Sequence, residues 1–131
     1  MTDQLPKVLV VDDDEGSREV FCKLLTSAGY AVQSAYDGLD AIRHMEKTQF
    51  NLVLTDVCMP HMDGLELLTN IRDCWPDSRV IVHSGIVNVQ VARHAKADHS
   101  VRLLDRTRAP FRNDPLTLLL LIVPGCYGAV E

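Results

Sequence analysis

The four cysteines, Cys22, Cys58, Cys74 and Cys126, include no Cys-x-x-Cys pair and share no zinc-type spacing with the five histidines. Neither a zinc ribbon nor a disulfide framework is therefore expected, and the thiols read as reduced, cytosolic ones. Long apolar runs are also missing. The longest, residues 116–123, is interrupted by Thr117 and falls far short of the ~20 residues that a membrane-spanning helix needs. Residues 1–7 are polar and offer no apolar core for a secretory signal, so the expectation is a cytoplasmic chain with no membrane contact. A basic excess is absent too: 13 Lys+Arg face 18 Asp+Glu, a formal charge of −5. Direct nucleic-acid binding needs clustered Lys/Arg to displace counterions, and is not expected.

What is present is enough apolar material for one core. A chain of 131 residues with 47% hydrophobic side chains suits a single domain that buries roughly two-thirds of its unfolded surface. The charge is uneven along it: residues 1–78 carry 14 acids and 6 bases, residues 79–131 carry 4 acids and 7 bases. The acidic part must hold a cation, meet a basic partner or simply stay soluble.

Val8-Leu9-Val10-Val11 is a short continuous apolar run, as in a strand buried on both faces of a parallel sheet. A helix follows, with Val20, Phe21, Leu24, Leu25 and Ala28 on one face and Gly29 closing it. Ala31 to Ala35 predicts a second strand, Asp37-Gly38 a turn, and Leu39, Ile42 and Met45 the inner stripe of a second helix. Asn51-Leu52-Val53-Leu54-Thr55 repeats the first strand and runs into Asp56. A turn through Met59-Pro60 and Asp63-Gly64 leads to a helix with Leu65, Leu67, Leu68 and Ile71, ended by Trp75-Pro76. A fourth strand from Arg79 to Val82 stops at His83-Ser84-Gly85. Strands alternating with helices of this length predict successive βα units: an α/β fold whose parallel sheet is covered on both faces. Beyond Ser84 the pattern loosens, although residues 101–104 suit a fifth strand.

In such sheets ligands sit outside the carboxyl ends of the strands, and Asp12, Asp13, Asp56 and Ser84 all fall there. Like charges a few ångströms apart raise one another's pKa, a conflict that a divalent cation resolves. Magnesium is typically held by one or two carboxylates with waters and phosphate oxygens, and an aspartate can itself be the nucleophile that forms an acyl phosphate. The cluster thus reads as a phosphoryl-handling site. Taken alone, Asp12-Asp13-Asp14 is equally a solvated helix start, where acids favour the dipole.

The motifs Val10-Val11-Asp12-Asp13-Asp14, Leu54-Thr55-Asp56-Val57-Cys58-Met59-Pro60, Met62-Asp63-Gly64 and Val82-His83-Ser84-Gly85 resemble the receiver domain of two-component response regulators. The resemblance runs in order from residue 7 to about residue 98. It implies a flavodoxin-like, doubly wound, parallel five-stranded sheet with helices on both faces. It also implies one receiver domain over residues 1–131, with a tail at 1–6 and a divergent fifth strand and C-terminal segment at 99–131. Asp56 would accept phosphate from a histidine kinase, a phosphotransfer protein or a small phosphodonor. Asp12, Asp13 and Asp56, with the backbone carbonyl of Cys58, would hold Mg²⁺, and Ser84 would contact the phosphoryl group and report it by moving. Cys58 and Ile86 fall where the family tunes dephosphorylation, and neither can position an attacking water, so slow self-hydrolysis is expected. Beyond self-phosphorylation and its reversal no enzymatic activity is implied, and a downstream effector protein would read the switch.

The family's lysine, immediately before a proline at the end of the fifth strand, is matched here by Ala109 in Arg108-Ala109-Pro110-Phe111. Arg106 or Arg108 can reach in, but a planar guanidinium is no compact point charge. A switch-impaired module that acts through protein contacts is therefore the alternative, with a homodimer through the C-terminal segment as one form of it, since monomers seldom leave large apolar patches uncovered. A Mg²⁺-dependent phosphatase is disfavoured, because Cys58 stands where such an enzyme wants an acid. His44, His61, His83, His94 and His99 read by default as surface or edge residues, with His83 set beside the site. Met59 and Met62 read as packing.

Overall fold

The structure, a computed structural model, describes residues 5–57, 59 and 61–84, together with the strand Val101–Asp105; Ser84 and that strand are described by backbone alone. Among the described residues eight elements follow in order: β1 (Lys7–Val11), α1 (Glu15–Ser27), β2 (Ala31–Ala35), α2 (Gly38–Lys47), β3 (Leu52–Asp56), α3 (Gly64–Cys74), β4 (Arg79–Ser84) and β5 (Val101–Asp105). The strands form one sheet in the order β2-β1-β3-β4-β5, and every pairing is parallel. This is the flavodoxin-like order, whose ligand crevice opens between β1 and β3, where the direction of winding reverses.

Reversal puts α1 on one face and both α2 and α3 on the other, because each crossover keeps its right hand. On one face Val8, Val10, Leu54 and Ile81 pack against Phe21 and Leu25 of α1. On the other, Leu9, Val11, Val53, Val80 and Val82 meet Ala41 and Met45 of α2 and Leu67, Leu68 and Ile71 of α3. Burial on both faces is why these strands read as unbroken apolar runs.

Each described helix starts on an aspartate. Asp14, Asp37 and Asp63 have extended backbone, and their carboxylates accept the amides of Ser17, Asp40 and Glu66 at 2.8 Å. The dipeptides Asp37-Gly38 and Asp63-Gly64, expected as turns, are thus an N-cap followed by a first helical residue. Gly29 ends α1 with φ +96°, the left-handed conformation that glycine takes without a side-chain penalty. Three expected core positions differ: Val20 is 52% and Leu39 43% exposed, and Ala28 is exposed as well. On α2 the sheet is met by Ala41 and Met45, because a helix lying close to a sheet leaves room for a small residue at its centre.

Candidate functional site at the carboxyl rim

Register builds the site. Val11 pairs with Thr55, so Asp12 follows at the level of Asp56, and Asp56 pairs with His83 on β4. Residues at one level of a parallel sheet point to the same face, and all three continue the series packed on α1. One oxygen or nitrogen from each of Asp12, Asp56 and His83 lies within 4.8 Å of the others. The sequence pointed to Asp12 and Asp56; the structure adds His83 to them.

Asp12 is 1% exposed and firmly held. Its amide donates to Ala35 O at 3.1 Å, its carbonyl accepts Arg18 Nη1 at 2.7 Å, and its Oδ1 accepts the Asp14 amide at 2.9 Å. Its Oδ2 faces His83 Nε2 at 3.7 Å. Asp13 is exposed beside it and stands outside the three-residue group. Asp14 turns to α1, where the amide and hydroxyl of Ser17 hold its carboxyl below the usual range. Of the acid triplet, Asp14 is the helix cap, whereas Asp12 lies with Asp56 and His83.

Asp56 is partly buried, and its Oδ1 accepts the Val57 amide at 2.7 Å. The chain then folds back on it: the Gly64 amide donates to Val57 O at 2.8 Å. A Cβ on Gly64 would collide with the Asp56 carbonyl and would lie 2.9 Å from Val57 Cα. Backbone occupies that space, so only glycine fits. Thr55 Oγ1 also donates to Asp56 O, at 2.9 Å.

Farther along the same loop, His61 adopts φ 68° and its Nδ1 lies 3.0 Å from Asp37 Oδ2. Met62 packs against Gly38, where a Cβ would meet its side chain at 2.8 Å. The loop after β3 is therefore tied to the start of α2 by one polar and one apolar contact. Burial pushes the Asp37 carboxyl up, but the Asp40 amide, His61 and the charge of Arg43 together carry it below the usual range.

His83 corrects an expectation. It is 0% exposed, and its ring meets that of Phe21 with centroids 4.9 Å apart at 54°. Its sequence signal was a polar residue in an otherwise apolar strand, at the level of the aspartates. His44 and His61 do lie at the surface, paired with Asp40 and Asp37; His94 and His99 lie outside the described residues. So do Cys58, Ile86, Ala109 and the C-terminal segment, while Ser84 is placed by backbone at the end of β4. The expected fifth strand is present, and it pairs Ser84 with Asp105.

A 2-1-3-4-5 sheet with two aspartates at its β1/β3 crevice defines an acidic rim. The model of the response regulator receiver domain matches residues 8–107, and the chain belongs to that family: it is a receiver domain of two-component signalling. It is 29% identical over 102 residues to the response regulator receiver protein CpdR of Brucella abortus, covering 78% of this chain and 85% of that one. It is 38% identical over 93 residues to the sensor kinase CckA of the same organism, covering 70% of this chain and 10% of that much longer protein. The chemotaxis protein CheY4 of Vibrio cholerae superposes with TM-score 0.75 at 30% identity, over 88% of this chain and 93% of that one. Among the described residues no helix is long and apolar enough to cross a membrane.

Proposed function

We propose that Asp56 is the phosphoacceptor of a Mg²⁺-dependent switch, and that Asp12 and Asp13 hold the ion with it, aided by the Cys58 carbonyl. The observation that supports this most directly is the shared level of Asp12 and Asp56 at the crevice where the sheet reverses. The donors suit the ion, since magnesium is bound by one or two carboxylates and keeps several waters. When bound, Mg²⁺ neutralises carboxylate charge and orients phosphoryl oxygens.

A carboxylate oxygen of Asp56 forms the new O–P bond while the donor's N–P or O–P bond breaks, and the electron pair and a proton go to the leaving imidazole or acid. The chain's part is positioning and exclusion of alternatives. The Val57 amide orients the Asp56 carboxylate, and the Gly64 amide, bonded to Val57 O, holds the segment that carries both. Ser84, at the end of β4, reaches the phosphoryl group and carries the change to β4 and its neighbours, where an effector protein reads it. Histidine kinases or phosphotransfer proteins are the donors, in the cytoplasm.

The test is incubation with Mg²⁺ and acetyl phosphate, followed by intact mass. A gain of one phosphoryl group in the wild type and none in Asp56→Asn supports the reading, and no gain in either favours a switch-impaired interaction module. That second reading rests on Ala109, which lies beyond the family match. The register sets Asp105, not a lysine, beside Ser84.

A further inference from the structure

We propose that His83 is a nitrogen ligand of the rim, so that the pocket binds a divalent first-row transition cation such as Mn²⁺, Co²⁺ or Zn²⁺ in preference to Mg²⁺. This rests on the rim being a cation site, as argued above, and changes which cations it selects. His83 occupies the same level as Asp56 on the neighbouring strand. Its Nε2 lies 3.7 Å from Asp12 Oδ2, and the donors of all three residues fall within 4.8 Å. Ligands bound at about 2.1 Å to one ion stand roughly 3 to 3.5 Å apart when adjacent. The Asp12–His83 pair is near that spacing already, and a small closure brings in Asp56.

The imidazole is also well prepared. Its full burial against the Phe21 ring confines its orientation, so little freedom is lost on coordination. The Asp14 amide on Oδ1 of Asp12 fixes the carboxylate with Oδ2 toward the histidine, the kind of supporting contact that orients a ligand. Ligand type then decides selectivity: carboxylate and water suit magnesium, whereas imidazole favours zinc and its first-row neighbours.

The experiment uses the full chain, freed of metal by chelation and loaded with substoichiometric Mn²⁺. Pulsed EPR of the wild type should show ¹⁴N coupling from a directly bound imidazole, lost in His83→Val and kept in His44→Ala, a surface control. Zn²⁺ should displace the Mn²⁺ at a concentration at least about tenfold below that required of Mg²⁺, and that advantage should shrink about tenfold in His83→Val. Bound Mn²⁺ without nitrogen coupling in the wild type overturns the proposal, even if His83→Val fails to fold. Such a spectrum would mean that His83 serves Asp12 only as an ionic neighbour. Phosphorylation of Asp56 with Mg²⁺, measured on the same preparation, separates the two ideas: phosphorylation without nitrogen coupling overturns this one alone, and nitrogen coupling without phosphorylation supports it while the phosphoacceptor reading fails.

Discussion

Asp12, Asp13 and Asp14 show how far one residue's role depends on its last few ångströms of backbone. The first is buried at the crevice, the second is exposed, and the third caps α1. Gly64 is a sharper case, because backbone of Asp56 and Val57 fills the place of its missing side chain. Gly64→Ala should therefore displace the segment carrying Asp56 rather than merely stiffen α3. We expect a stability loss of roughly 1–3 kcal/mol by chemical denaturation, together with slower phosphorylation of Asp56 by acetyl phosphate; a variant as stable and as fast as wild type would contradict this close approach. The thiols differ for a related reason. Burial raises the Cys22 thiol above its ordinary value, against the opposing influences of Arg18 and Ser34, whereas Cys74 is exposed. Since the thiolate is the nucleophile, iodoacetamide at mildly alkaline pH should label Cys74 before Cys22, as peptide mass mapping would show.

Among the elements, the strands were legible and the helix faces less so. Two-sided burial writes a continuous apolar run into β1, β3 and β4, which composition alone reveals. On α2 the inner face is carried by Ala41 and Met45, and alanine has too weak an apolar signal to outweigh Leu39, which the fold leaves exposed. His83 was hidden differently: read as a surface or edge residue, it is buried, and its partnership with Asp12 and Asp56 depends on the register of three strands far apart in sequence. The Asp-Gly pairs looked like turns because a cap and a turn use the same residue types. Asp37 is the cap with most attached to it, since it also takes His61 of the β3–α3 loop. Asp37→Ala should cost about 1 kcal/mol or more, whereas Asp37→Asn keeps a capping oxygen and loses only the charge. The folded Asp37 carboxyl lies below its ordinary 3.8, so the ionised group stabilises the fold above that pH, and the contribution is lost as pH falls through the lower folded value. The stability gap between wild type and Asp37→Asn should thus close under acid conditions below about pH 4 in urea melts; a gap that persists at low pH would assign the effect to shape.

For the whole molecule, the uneven charge along the chain resolves into different physical roles. Some of the acids in residues 1–78 are helix caps, which stabilise the fold; Asp12 and Asp56 are another matter, because the fold holds two carboxylates at one level of the sheet, and their mutual repulsion opposes folding. On the proposal that the rim holds a cation, it should therefore cost stability without one. Asp12→Asn is expected to melt at a temperature equal to or above that of the metal-free wild type, since it removes a repelling charge while keeping an oxygen to accept the Asp14 amide. Adding Mg²⁺ reverses the order. A ligand at about 100 times its Kd stabilises the folded state by roughly 2.7 kcal/mol, which for a domain of this size raises the melting temperature on the order of 10 °C. The wild type should gain that rise and Asp12→Asn only a small part of it, as scanning calorimetry with and without Mg²⁺ would measure. Equal gains in both proteins would mean that the ion binds elsewhere and that Asp12 belongs to the frame rather than to the site.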